Sequence, residues 1–383
     1  MRFRTLFLLF LACLISAPLA HAQTPGQQTT ISNTSVIEKA RVLTVESSEI
    51  KNIPGTNNSA TYQTLSALIL SGVDTGKIVN VTNDYLAMKS GDVFFLTHTT
   101  NAQEGLNAYT VLEPDRLPAL RDLFVLFVLS VVLIGGWTGL RGLVALGVSI
   151  LLVLYALLPG IAAGYNPILV ASGVAALIVI FGSYLTHGIN RTTSAAVLGL
   201  VATVGITALI AHFAISATQL SGVADEGTVD LSFAMSGHID LIGLLLGGML
   251  IGALGILYDA AISQAVAVDE LLRAAPDMGV RRLFMRAMRI GREHIGALVN
   301  TLALAYVGVA LPLLLLFQSQ SYGGESFLHT INHELFATEI VRALVGSLGI
   351  IFAVPISTIA AIILLTHVPP KDGDTSGSAH THA

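Results

Sequence analysis

From residue 119 onward, long apolar runs alternate with short polar joins. The runs lie near 119–138, 142–159, 167–186, 193–215, 239–263, 294–317 and 340–366. Each approaches the ~20 residues that carry a helix across a hydrocarbon core. Irregular backbone in lipid would leave amides unpaired, so these runs are read as helices. Upstream the period shortens. Runs of β-branched and aromatic residues at 39–46, 62–71, 77–83, 92–99 and 108–112 are separated by turn material such as Gly72-Val73-Asp74-Thr75-Gly76 and Lys89-Ser90-Gly91-Asp92. Five strands in so short a span predict a small closed barrel, OB-like, because closure removes exposed edges; a sandwich is the alternative. Phe94 and Phe95 are adjacent in one strand, so only one can face its core.

The first residues read as a targeting signal. Met1-Arg2-Phe3-Arg4 is basic, 5–19 is apolar but short for a span, and Ala20-His21-Ala22 has the A-x-A form of a cleavage site. An uncleaved anchor is the alternative. The expected organisation is a signal peptide at 1–22, a linker at 23–37, an exported β domain at 38–118, a seven-helix membrane domain at 119–367 and a flexible cytoplasmic tail at 368–383. The fold class is thus an α-helical polytopic membrane protein of about seven spans with a small exported β-barrel-like domain.

Composition narrows the function. Charged residues are 11% of the 383 residues, there are 36 glycines, and mean hydropathy is +0.75. Soluble domains carry about 25% charge. The net charge of −5 and the lack of a basic stripe leave nucleic acid no electrostatic footprint. Cys13 is the single cysteine, so cysteine-based zinc or iron–sulfur centres are excluded. The joins sort by charge. Arg141, Arg191 and the Arg-rich stretch 264–293 fall on one side. The joins at 160–166, 216–238 and 318–338 carry no Lys or Arg. The positive-inside rule then places 23–118 outside the cytoplasm and the C-terminus inside. Arg121 and Arg342, at outer helix ends, are read as snorkelling.

Several residues are candidates for chemistry. Gly248, Gly252, Gly255, Asp259 and Ser263 are spaced 4, 3, 4 and 4, which puts them on one helix face. Small residues there would let another helix approach, and a carboxylate at membrane depth often marks a path for ions or protons. Asn300 in the next span is a candidate partner for Asp259. Both are translocation-path or helix-seam candidates; Asp259 is equally read as a headgroup-level carboxylate pairing with a nearby Arg, and Asn300 as helix glue. Arg282, Arg286 and Arg289 share a face in a stretch at 280–292 expected to lie on the membrane and contact anionic lipid, or to dock a partner. His329 and His333, four apart with Glu334 following, have a spacing that suits zinc but lack the HExxH order, so solvated loop histidines are the expected reading. No catalytic motif, Walker A sequence or G-x-S-x-G is found, so no enzyme activity and no cofactor are expected. Pro312 and Pro355 are expected to kink their helices.

Arg141-Gly142-Leu143, Gly164-Tyr165-Asn166-Pro167-Ile168-Leu169, Gly252-Ala253-Leu254-Gly255 with Asp259, and Met288-Arg289-Ile290-Gly291-Arg292-Glu293 running on to Asn300-Thr301-Leu302 resemble the YibE/F-like family of bacterial multi-pass membrane proteins. So do 77–84 and Lys89-Ser90-Gly91-Asp92. The resemblance implies a bacterial cytoplasmic-membrane protein with a small exported domain, and it implies no reaction or substrate. The expected function is a transporter or permease-like component with the lipid bilayer as its surroundings. The alternative is a structural or signalling membrane component whose exported domain binds a protein partner in the cell envelope. An intramembrane hydrolase would need a paired nucleophile and base, and no such pair stands out.

Overall fold

The computed structural model describes residues 34–52, 59–84, 86–101, 106–223, 226–235, 239–318 and 327–366. The expected signal peptide at 1–22, most of the linker and the tail at 368–383 lie outside them. The chain divides into two units, Met1–Ser130 and Val131–Ala383.

The first unit holds five strands: β1 (Thr34–Asn52), β2 (Ser59–Ser71), β3 (Ile78–Asn83), β4 (Val93–Asn101) and β5 (Leu106–Pro114). They close a barrel in the order β1-β2-β3-β5-β4. β1 pairs antiparallel with both β2 and β4, while β3 meets β5 in parallel through the single pair Thr82–Thr110. Alternate residues point inward. Ala40, Val42, Leu65, Ala67, Ile69, Val81, Phe94, Leu96 and Val111 fill the interior. Phe94 is fully buried, whereas Phe95 turns outward beneath the Lys39 ammonium. Gln63 and Asn83, both buried, satisfy each other and the backbone of Met88 and Leu86. Beyond the barrel, β1 and β2 continue as an exposed two-stranded ribbon out to the Asn52–Ser59 pair.

The helices are α1 (Leu117–Leu152), a π-helical turn (Val153–Leu157), α2 (Leu158–Ala162), α3 (Pro167–His187), α4 (Arg191–Ala217), α5 (Glu226–Ala234), α6 (Leu241–Ala274), α7 (Val280–Val309), α8 (Leu311–Gln318), α9 (Phe327–Asn332) and α10 (Glu334–Thr366). Three starts are written locally. Asn166, Asn190 and Asp240 each accept a backbone N–H from the first turn of α3, α4 and α6. α10 packs against α4, α6 and α7. Its closest approaches are made at glycines. A methyl on Gly199 would come within 2.7 Å of the Ser357 Cα, and one on Gly349 within 2.8 Å of the Thr207 hydroxyl.

Five described runs are long and apolar enough to cross a membrane: Leu117–Ala162, Pro167–His187, Arg191–Ala217, Leu241–Ala274 and Glu334–Thr366. Two expectations look different in the structure. The runs at 119–138 and 142–159 belong to one helical stretch, broken at Gly136, whose φ of 55° and ψ of −138° no helix contains. The chain turns a corner there, since a Cβ on Gly139 would strike the Val131 carbonyl. The run at 294–317 is the second half of α7, which stops at Val309 and restarts as α8. Pro312 has no N–H to give, so it sits at the second position of the new helix. Pro355, by contrast, lies inside a continuous α10.

The stretch at 264–293 is also more ordered than a loop. α6 runs to Ala274 and α7 begins at Val280. The expected surface helix at 280–292 is therefore the first half of α7. Leu283 and Ala287 are fully buried in a cluster with Ala265, Val268 and Ala361, and Gln264 donates to the Ala287 carbonyl at 2.7 Å. Its apolar face is spent on the protein itself. Arg282, Arg286 and Arg289 remain exposed on the opposite face, as the spacing predicts.

Candidate functional site

Gly248, Gly252, Gly255 and Asp259 lie together on an exposed face of α6, with Ser263 half-buried one turn on. Among the described residues, no neighbouring helix backbone comes against these glycines. A methyl on Gly248 or Gly255 would meet nothing within 4 Å, and one on Gly252 would touch only the Tyr306 hydroxyl of α7, at 3.0 Å. Tight packing uses other glycines, such as Gly199 against Ser357 and Gly346 against Leu302. Asn300 is exposed on α7, and no hydrogen bond joins it to Asp259 among the described residues.

The face continues past Asp259. Ile262, Val266, Asp269 and Arg273 follow at spacings of 3, 4, 3 and 4, so they extend the same stripe. These four line a cleft of about 1160 Å³ at one end of the helical unit, together with His187, Arg191, Thr192 and Glu270 from α3, α4 and α6. Its charges are partly organised. Thr192 donates to Asp269 at 2.9 Å, and Arg273 pairs with the same carboxylate at 3.2 Å. Sequence reading placed Asp259 but not the cleft, because α3, α4 and the end of α10 reach it only through tertiary packing.

The histidine pair is more local. His329 and His333 have ring centroids 5.3 Å apart, and Glu334 is engaged elsewhere, accepting from Ser221 and Gly222.

The first unit contains a site that the sequence reading missed. Glu38 on β1 is 1% exposed, on the inward row with Ala40 and Val42. His98 on β4 follows Phe94 and Leu96 on that strand's inward row. Asp74, in the β2–β3 turn, folds over the same barrel end, and its backbone N–H donates to Glu38 Oε1 at 3.1 Å. Asp74 Oδ2 lies 3.4 Å from His98 Nδ1 and accepts from the Tyr109 hydroxyl at 3.1 Å. Its Oδ1 pairs with the Lys77 ammonium at 2.5 Å. The Tyr109 ring stacks on His98, centroids 4.2 Å apart. The Lys77 hydrogen bond holds the Asp74 carboxyl below the usual carboxylate range, and Asp74 in turn raises the Lys77 ammonium. Desolvation and then Asp74 push the Tyr109 phenol up. Glu38, Asp74 and His98 place one ligand atom each within 4.8 Å of one another, the only such trio of His, Cys, Asp or Glu among the described residues. The missed signal was a glutamate and a histidine at positions where strand alternation calls for apolar residues.

A family model described as YibE/F-like protein matches residues 123–367. The chain belongs to this family. The match begins inside α1 and takes in every helix after it, so the family is carried by the helical unit. The barrel of this YibE/F-like protein, including the resembling stretches at 77–84 and 89–92, lies outside the matched segment. With its five long apolar helices, the family marks the chain as a membrane protein. No curated protein and no solved structure matches it.

Proposed function

We propose that this is a bacterial inner-membrane protein of seven spans acting as a transporter or permease-like component. Its OB-like barrel lies outside the cytoplasm behind a signal peptide, and its C-terminus lies inside. On this reading α1 supplies two spans that meet at Gly136, and the second half of α7 with α8 supplies the sixth. The arginines of the 187–191 and 274–292 segments then share the cytoplasmic side. The observation that carries the transport reading is the continuity of one face of α6. A polar cleft at the arginine-rich end leads along Arg273, Asp269, Val266 and Ile262 to Asp259, an ionisable group where such groups are costly. The cleft is the cytoplasmic mouth of a path, and Asp259 is the charged group along it.

Cys13 is the single cysteine, so a Cys13→Ser chain gives a clean background for accessibility mapping. Single cysteines replacing Val266, Ile262 and Gly255 should react with a membrane-impermeant maleimide added from the cytoplasmic side, and a bulky thiol reagent should protect them in order. Reactivity that stops at Val266 removes the path. A second reading, a signalling or structural component whose barrel holds an envelope partner, draws on the exposed β1–β2 ribbon. Ile50 there is 76% exposed and Val45 37%. Under that reading, charged substitutions at Val45 and Ile50 abolish function while Asp259→Asn does not.

A further inference from the structure

We propose that Glu38, Asp74 and His98 bind one divalent transition-metal ion of the zinc class, with a water or an external ligand in the fourth position. Two carboxylates and an imidazole form a donor set suited to borderline ions of this kind. The spacing fits. Two ligand atoms each about 2.0–2.1 Å from a tetrahedral ion stand roughly 3.3–3.4 Å apart, and His98 Nδ1 is 3.4 Å from Asp74 Oδ2.

Charge supplies an independent argument. Glu38 is buried, and its Oε2 has no hydrogen-bond partner among the described residues. A buried carboxylate oxygen left unmatched is costly unless a cation or donor reaches it. Lys77 does not fill that role. Its side chain is 65% exposed and bonds Asp74 Oδ1, the oxygen turned away from His98. It offsets one of the two carboxylates and leaves the other. Glu38 is also held in place from above. Gly72, at φ 106°, lies so close over its carboxyl group that a Cβ there would collide with it. Outside the three ligands, the Tyr109 hydroxyl and the Lys77 ammonium orient Asp74, and Tyr109 stacks on the imidazole. Such supporting partners commonly fix metal ligands.

The test uses the full chain in detergent, stripped with a chelator and titrated with Co²⁺ or Zn²⁺ alone. One Co²⁺ per chain should bind with the visible absorption of a four-coordinate ion, and Zn²⁺ should displace it. Glu38→Gln and His98→Gln should each weaken binding at least about ten-fold, while a His329→Gln/His333→Gln chain keeps it. Independently of any variant, Zn²⁺ should block diethyl pyrocarbonate modification of His98, read by mass spectrometry. Lack of stoichiometric binding, binding that survives loss of both Glu38 and His98, or modification of His98 at an undiminished rate in Zn²⁺ would each overturn the proposal.

Discussion

Glu334, the first residue of α10, holds the turn that follows α4. Its carboxylate accepts the Ser221 amide at 2.6 Å, the Ser221 hydroxyl at 2.8 Å and the Gly222 amide at 3.0 Å. The turn needs Gly222 at φ 84°. Hydrogen bonds to a charged group contribute about 1.5–3 kcal/mol each, and losing this acceptor leaves two amides unmet. Glu334→Ala should therefore lower the unfolding midpoint of the helical unit in detergent, by about 2–3 kcal/mol of stability. Glu334→Gln, which keeps one acceptor oxygen, should lose less. Equal midpoints for all three chains would show that water serves the turn as well.

The Asp74–Lys77 pair gives the barrel a pH profile with two limbs. Asp74 titrates below its unfolded value, near 3.9. Its contribution is full above that value and is lost as pH falls through the folded one. Lys77 titrates above its unfolded value, near 10.4. Its contribution is full below that value and is lost as pH rises through the folded one. Urea unfolding of the barrel, followed across both ranges, should show both losses. Lys77→Met should remove the lysine's share of the alkaline limb, leaving that of the raised Tyr109 phenol, and make the acid limb shallower, with Tyr109 and His98 still acting on Asp74.

Two sets of glycines on the helices should behave oppositely. Gly199→Ala forces a methyl against the Ser357 backbone, and overpacking of this kind costs about 1–3 kcal/mol. Gly248→Ala places a methyl in open space and removes a flexible residue from a helix, so it should be neutral or stabilising by up to about 1 kcal/mol. Thermal unfolding of the two variants side by side tests the assignment, and a larger loss at Gly248 would contradict it.

Asp259→Asn should leave insertion, yield and unfolding close to those of the unaltered chain, because the side chain is exposed and makes no ion pair among the described residues. Under the transport reading it should nonetheless abolish the cellular function. An unaltered phenotype with the Asn variant would dismiss the carboxylate as a working group.

Local chemistry made much of the fold legible. The strands were readable from alternation in Leu65, Ala67 and Ile69, and helix starts from Asn166-Pro167 and Asn190. What escaped was non-local. Glu38, Asp74 and His98 come together only when β1 closes on β4 and the β2–β3 turn folds over the barrel end, and no spacing along the chain encodes that meeting. The glycine face of α6 is read from spacing alone, and periodicity cannot say whether a neighbour covers it. The Arg-rich stretch at 280–292 reads as a helix with its arginines on one face, lying on the membrane. In the structure its apolar side meets Gln264 and Val268, offered by an α6 that extends about four turns past Asp259, and Ala361 of α10.

The lone Thr82–Thr110 rung joins β3 to β5, next to Tyr109. Elsewhere each strand is fastened to its neighbour by a full ladder. Closure of the cylinder thus hinges on its least-fastened edge. Parting that edge gives up a single rung, so it should cost far less than melting the whole unit. Amide exchange along the β3–β5 edge should therefore run ahead of exchange in the β1–β2 ladder.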